Sequence, residues 1–390
     1  YFKGTEAQGF FEKAKSGKVK ISYKPQQVDL IPKVEKGKVR DLLKKVDELK
    51  KLDEVVKELG IENILDNDIR KISGGELQRV AIAACVLKKA ELYIFDEPTS
   101  YLDIKQRVKV SKFIRGLADE NTSILVIEHD LIILDYMADL VHIMYGKENC
   151  YGIVANPRVT RAAINTYLSG FLREENMRFR DHPIKFEKHF GAKKSSGDML
   201  TSWNEISKKL GNFNLIANPG EVYKKDVIGV LGENGIGKTS FVKILAGVDK
   251  PDKGEVDSKI KVSYKPQYLE SGSDELVVNV LKEAIKKYEN QIIKPLNIGP
   301  LMNKQLNQLS GGELQRVSIA LCLGQDADLY LLDEPSAYLD VEQRLVISKI
   351  MGDLMETRGR TALIVDHDLL FLDYISKKLL IFDGEPAIRG

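Results

Sequence analysis

The chain repeats itself, and the repeat limits what it can fold into. Residues 73–107, SGGELQRVAIAACVLKKAELYIFDEPTSYLDIKQR, align without a gap on residues 310–344, SGGELQRVSIALCLGQDADLYLLDEPSAYLDVEQR, with 22 of 35 positions identical. Upstream, VKISYKPQQ at 19–27 answers IKVSYKPQY at 260–268. Downstream, TSILVIEHDLIILDY at 122–136 answers TALIVDHDLLFLDY at 361–374. The offset moves only from 241 through 237 to 238, so two copies of one domain stand in tandem with small insertions. A chain of 390 residues has room for two domains of ordinary size, each with its own core.

Each copy reads as α/β. LYIFDEP and LYLLDEP are short apolar runs ending in carboxylates, as expected of buried parallel strands with functional residues at their C-terminal ends. ILVIEHD and ALIVDHD read the same way. Residues 226–247, DVIGVLGENGIGKTSFVKILAG, predict strand, glycine loop and helix. Between the copies, 151–212 is less repetitive; it carries Arg158, Arg161, Arg173, Arg178 and Arg180, and GAKKSSGD at 191–198 reads as exposed loop. The expected division is a first domain over 1–150, a linker over 151–195 and a second domain over 196–390.

Composition adds exclusions. With 59 basic and 57 acidic residues the net charge is +2, so any surface for a polyanion must be local. Charged residues make up 30% of the chain, with Lys and Glu in excess, a weak mark of heat adaptation. Cys85, Cys150 and Cys322 show neither pairing nor metal-ligand spacing, which points to a reducing, cytoplasmic compartment. No apolar run approaches about 18 residues, and no basic-then-apolar signal opens the chain.

Gly232-Glu-Asn-Gly-Ile-Gly-Lys-Thr239 fits G-x-x-x-x-G-K-[ST] in the strand-to-helix context that pattern requires. Gly232, Gly235 and Gly237, with Asn234 and Ser240 beside them, would let backbone N–H groups close around phosphate oxygens at a helix N-terminus. Lys238 would reach the β- and γ-phosphates, and Thr239 would place its hydroxyl on Mg²⁺. Asp333 and Glu334 end a strand further on; adjacent carboxylates can divide the work, Asp333 holding the metal and Glu334 deprotonating the attacking water. A polar turn after a strand is the bland alternative, weakened by the duplicate at Asp96-Glu97.

Ser73-Gly74-Gly75-Glu76 and Ser310-Gly311-Gly312-Glu313 have two readings. Ser-x-x-Glu before an apolar run is a capping box that needs no ligand. Glycine at both of the first two helical positions, however, costs about 1 kcal/mol each against Ala, which makes sense if a phosphate must approach that backbone. Gln26 and Gln267 in YKPQ sit just past a strand, where a long amide could touch metal or water. His129 and His367 end the next buried strand, at the sheet edge that carries the carboxylates. Cys85 and Cys322 read as small core residues.

Together these residues resemble the ATP-binding cassette ATPases: GENGIGKT as Walker A, YKPQ as Q-loop, LSGGELQR as signature, LYLLDEP as Walker B, YLD as D-loop, and the histidine switch. Within them, the paired LSGGELQR and DEP[ST]xYLD and the stretch AAINTYLSGFLREENMRFR look like ABC subfamily E, the RNase L inhibitor and ribosome-recycling group, over essentially the whole chain. The resemblance implies two cassettes arranged head to tail in a monomer and joined by a hinge, closing on ATP like tweezers and reopening on hydrolysis. It implies work on the small ribosomal subunit and its rRNA with a release factor or its rescue relative, and no membrane partner. By position, it implies one complete site from Lys238, Thr239, Gln267, Asp333, Glu334 and His367, capped by Ser73, Gly74, Gly75 and Glu76 with Asp103 nearby. Gln26, Glu97, His129, Ser310, Gly311 and Gly312 would belong to a second site. The family also carries an amino-terminal domain with two [4Fe–4S] clusters, whose cysteines have no counterpart here.

No second G-x-x-x-x-G-K-[ST] is present; the counterpart of Lys238 would precede Tyr1, and the family's segment after the second cassette has no match. The expectation is therefore a chain cut at both ends, with one whole nucleotide site. YFKGTEAQGFFEKAKSG would be the second half of a helix–loop–helix insertion, with Thr5 as N-cap. There Lys3, Lys13, Lys15, Lys18 and Lys20 would form either an rRNA contact or a solvated face, and the arginines of 158–180 either rRNA contacts or hinge salt bridges. Three rivals stand beside this reading. An ABC subfamily F translation factor predicts a charged helical linker, which 151–212 does not resemble. The ATPase subunit of a transporter predicts a membrane partner at the Q-loop, and the last rival is a binding module with incidental hydrolysis.

Overall fold

The carboxylate-ended apolar runs form parallel strands in both copies, and these strands organise a computed structural model of the chain. It describes residues 6–17, 19–147, 150–184, 198–211, 213–256, 260–266 and 273–384. Two units separate, Tyr1–Ile184 and Lys185–Gly390. Lys3, Thr5, Lys18, Gln267 and most of the loop at 191–198 lie outside the described residues. Among the described residues no helix is long and apolar enough to cross a membrane.

In the first unit three parallel strands run in the order Ile21–Lys24, Leu92–Asp96, Ser123–Ile127. Their connections cross on one face, as parallel pairing requires. The helix Gly74–Val86 leads into the middle strand, and Ile104–Arg115 joins it to the third. Leu43, Leu59, Ile82, Leu87, Phe95, Leu102 and Ile114 are buried together on that face. The other face alternates outward: Ile21, Tyr23, Leu125 and Ile127 are 42–53% exposed.

Residues 151–184, read from sequence as the start of a linker, are packed within the first unit. The helix Thr160–Ser169 and two short hairpins enclose Ile143, Ala155, Ala163 and Leu172, with the Tyr145 and Phe179 rings 5.9 Å apart. The boundary falls between 184 and 185, inside the interval 151–195. The structure also divides the arginines. Arg158 is tied to Glu174 (3.1 Å) and Glu175 (2.7 Å), and Arg180 lies over Tyr167 (4.8 Å) and donates to its carbonyl. Arg161, Arg173 and Arg178 are exposed.

The second unit has five parallel strands ordered Val262–Lys265, Leu329–Asp333, Thr361–Val365, Val227–Leu231, Lys378–Ile381. Both faces are covered. On one, the helices Gly311–Gly324 and Val341–Arg358 bury Ile319, Leu323, Ile347 and Met351 against Leu332 and Ile364. On the other, Lys238–Leu245 and two antiparallel strand pairs bury Trp203, Leu215 and Phe241 against Leu331, Leu363 and Val365. Covering both faces is why Leu329–Asp333 and Thr361–Val365 are buried at every position.

Candidate functional site

The glycine loop follows the strand Val227–Leu231 and opens the helix Lys238–Leu245. Gly235 (φ 77°) and Gly237 (φ 93°) take the left-handed backbone that side chains disfavour. At Gly237 a Cβ would also lie 2.9 Å from Leu215 and 3.0 Å from the Phe213 ring. The loop therefore presents bare backbone, the surface a phosphate needs. The buried Lys238 ammonium folds back over the loop, donating to the carbonyls of Gly232 and Glu233 and lying 3.3 Å from His367 Nε2. Ser240 is half-buried in the first helical turn.

Parallel register brings the other groups to the same sheet edge. Thr239 Oγ1 donates to Asp333 Oδ2 (2.8 Å). Burial pushes the Asp333 carboxyl up, against the Thr239 hydrogen bond and the charges of Lys265 and Lys238, so its anionic form gains from a further cation. A hydroxyl beside a carboxylate is a hard oxygen pair that suits Mg²⁺. Among the described residues no group of three or more His, Cys, Asp or Glu could hold a metal. His367 Nε2 lies 3.0 Å from Asn234 Oδ1 and 3.7 Å from Glu334 Oε1. Asp366 fixes the histidine's backbone, accepting from His367 N (2.7 Å), Asp368 N (2.9 Å), Ser336 N (2.9 Å) and Ser336 Oγ (2.7 Å).

The first unit assembles the matching set. Glu97 accepts from Gln26 Nε2 (2.6 Å) and Ser100 Oγ (3.1 Å), and His129 Nε2 lies 3.3 Å away. Burial raises the Glu97 carboxyl, but His129, Ser100 and Gln26 together outweigh it and hold the group below its usual value. Gln26 thus meets the carboxylate itself. Tyr23 Oη donates to Asp96 Oδ2 (3.0 Å).

At the signature the capping box is real in both copies. Ser73 N and Oγ donate to Glu76 Oε2 (2.7 and 2.8 Å), and Ser310 N donates to Glu313 Oε2 (2.8 Å). Three of these glycines, Gly75, Gly311 and Gly312, have a local cause as well, beside the phosphate approach that the sequence suggests. A Cβ at Gly75 would lie 2.9 Å from the Tyr101 carbonyl, and one at Gly312 would lie 2.9 Å from the Tyr338 carbonyl. At Gly311 it would lie 3.0 Å from the Tyr338 ring. The D-loop of the same unit is what comes close. Asp103 and Asp340 cap the next helices, accepting from Gln106 N and Gln343 N (both 2.8 Å).

Sequence reasoning missed two features. Tyr101 (φ 64°) and Tyr338 (φ 62°) are left-handed without being glycine, as are Glu97 (φ 46°) and Glu334 (φ 48°). Lys24 and Lys265 are fully buried, their ammonium groups on backbone carbonyls at the Walker B turn. The only signal for them is that they recur at matched places in the repeat.

Comparison with known proteins places this geometry. The family model described as ABC transporter matches residues 1–100 and 217–337. The chain is 53% identical over its whole length to an uncharacterized ABC transporter ATP-binding protein of Methanocaldococcus jannaschii. It spans 65% of that protein, a little under two thirds. A solved structure titled RNase-L Inhibitor is similar with a TM-score of 0.89 at 50% identity, covering 100% of this chain and 77% of that one. A model of ribosome-bound archaeal Pelota and ABCE1 gives 0.95 at 50% identity, covering 100% of this chain and 67% of the other. On this convergence of motif geometry and likeness, the chain belongs to the ABC transporter family of ATP-binding cassette proteins and, within it, to subfamily E, the group of the RNase L inhibitor.

Proposed function

We propose that the chain hydrolyses ATP at the Gly232–Thr239 loop and that its two cassettes use ATP to part ribosomal subunits. The observation that carries the first half is the convergence of Lys238, Thr239, Asp333, Glu334 and His367 at one sheet edge. Loop N–H groups and Lys238 hold the β- and γ-phosphates. Thr239 and Asp333 would hold Mg²⁺, which spreads the charge of the transferring phosphoryl group. As water's oxygen bonds to the γ-phosphorus and the bond to ADP breaks, Glu334 takes the water's proton. His367 donates to the γ-phosphate. Gln267, assigned to metal and water, lies outside the described residues.

The signatures, Ser73–Glu76 and Ser310–Glu313, offer capped helix N-termini to a nucleotide's γ-phosphate in this reading. The ribosomal half rests on likeness to a protein whose structure is titled as ribosome-bound with Pelota. It implies the cytoplasm, the small subunit and a release-factor relative. The exposed Lys13, Lys15, Lys20, Arg161, Arg173 and Arg178 are the groups offered to rRNA phosphates.

Glu334→Gln should keep ATP affinity within about threefold and lower turnover by about 10²-fold or more, measured by fluorescent-nucleotide titration and phosphate release. Near-normal turnover would remove Glu334 from the base role. Co-sedimentation of the intact protein with small ribosomal subunits in a non-hydrolysable ATP analogue tests the partner; no binding would end the recycling reading.

A further inference from the structure

We infer that Gln315 and Lys265, with Gln78 and Lys24 as their equivalents, are positioning residues that aim the Glu334 and Glu97 side chains by gripping the backbone carbonyl of each glutamate. The inference deepens the proposed hydrolysis and rests on it. The glutamate conformation is the starting point. Glu334 at φ 48° and Glu97 at φ 46° sit in the left-handed region, which costs a non-glycine residue free energy and persists only where the surroundings enforce it. Each amide is held first. Glu334 N donates to the Val365 carbonyl (2.7 Å) and Glu97 N to the Ile127 carbonyl (2.9 Å).

The carbonyl side is held by two buried donors from different elements. Gln315 Nε2 donates to Glu334 O (2.7 Å) and Gln78 Nε2 to Glu97 O (2.7 Å). Lys265 Nζ donates to Asp333 O (2.8 Å) and reaches Glu334 O at 3.5 Å. Lys24 Nζ donates to Asp96 O (2.7 Å) and Glu97 O (3.2 Å). All four side chains are 0–1% exposed. A buried ammonium is costly unless its hydrogen bonds are needed, and a methionine would fill the same space without that penalty. Gln78 shows the same bias, because its Oε1 is buried and accepts no hydrogen bond among the described residues. That side chain is kept for its N–H.

Released at the carbonyl, the peptide after Glu334 would relax toward ordinary backbone, and the carboxylate would turn with it. The grip also ties the carboxylate to two other elements of the unit. Lys265 ends the strand before the Q-loop, and Gln315 rides on the helix that the signature opens.

The test compares Gln315→Met and Lys265→Met with the wild-type chain in steady-state ATP hydrolysis, fluorescent-ATP binding and thermal melting. Each variant should lower kcat by about tenfold while the KM for ATP and the nucleotide affinity stay within about twofold. Unchanged kcat would overturn the inference. So would a kcat loss that merely follows lost nucleotide affinity and a lower melting temperature, the signature of a packing role. Should Gln315→Met not fold, Gln315→Asn keeps the amide but withdraws it by one methylene, with the same expectation. Glu334→Gln runs alongside. Equal turnover in wild type and Glu334→Gln would count against hydrolysis at this site. A clear difference between those two, with Gln315→Met at the wild-type rate, would count against the grip alone.

Discussion

The two sheets are built from nearly the same strands, yet they are buried differently. In the second unit Leu363 and Val365 are 0–1% exposed, because the glycine-loop helix and the antiparallel strands cover that face. Their equivalents in the first unit, Leu125 and Ile127, are 48% and 42% exposed among the described residues. The opposite face, which carries the signature helix, is packed in both. Strand sequence therefore sets the edge chemistry and the packed face in both units, and in the second the glycine-loop helix and its antiparallel strands keep the other face dry.

The sharpest break of this comparison is a single truncation. Leu363→Ala should cost about 2–5 kcal/mol in urea unfolding followed by circular dichroism, and a cost under about 1 kcal/mol would mean that the glycine-loop layer does not pack on it. A matched pair should behave alike in both units. Gly312→Ala and Gly75→Ala each force a methyl against a D-loop carbonyl at 2.9 Å, so each should cost about 1–3 kcal/mol by the same measurement. A cost at only one position would show that the D-loop approaches one signature helix and not the other.

The smallest effect is a shared pH slope. Burial, partly opposed by the neighbouring Walker B carboxylates, brings the Lys24 and Lys265 ammonium groups down to about 8. Unfolded, each titrates near 10.4. Between those values the unfolded chain binds a proton that the folded chain does not, so stability rises with pH across about 8 to 10.4 and this contribution is flat below about 8. Lys265→Met or Lys24→Met should each remove about 1–2 kcal/mol of that rise, seen by comparing urea midpoints at pH 8 and pH 10. An unchanged slope would mean that the lysine stays charged inside.

Much of this arrangement was legible because its signals are local. Apolar runs ending at Asp96 and Asp333 give parallel strands, Ser-x-x-Glu gives the capped helix, and the glycine loop announces its own turn. The rest depends on distant partners. Lys24 and Lys265 lie in YKPQ, where the sequence draws the eye to the glutamine, and only the fold reveals carbonyls waiting at the sheet edge. Glu334 and Tyr338 carry no mark of a left-handed backbone, because their conformation is imposed by neighbours rather than chosen by composition. The signature glycines were noticed, yet their nearest neighbour is the D-loop, a contact that no spacing in the sequence displays. The residues 151–184 lack repetition, which hid the fact that they pack as part of the first unit.

The anchor beneath the histidine carries one more consequence. In the second unit a short pair spans it, Ser336 Oγ donating to Asp366 (2.7 Å); in the first a longer pair does so, Thr99 Oγ1 donating to Glu128 (2.6 Å). Ser and Thr carry their hydroxyl at the same reach, while Glu128 is one methylene longer than Asp366, so the two anchors close over acceptors of different length, like two keys cut from one blank. Duplication supplied the blank, yet the acceptor of either copy, borrowed singly, would not seat in the other.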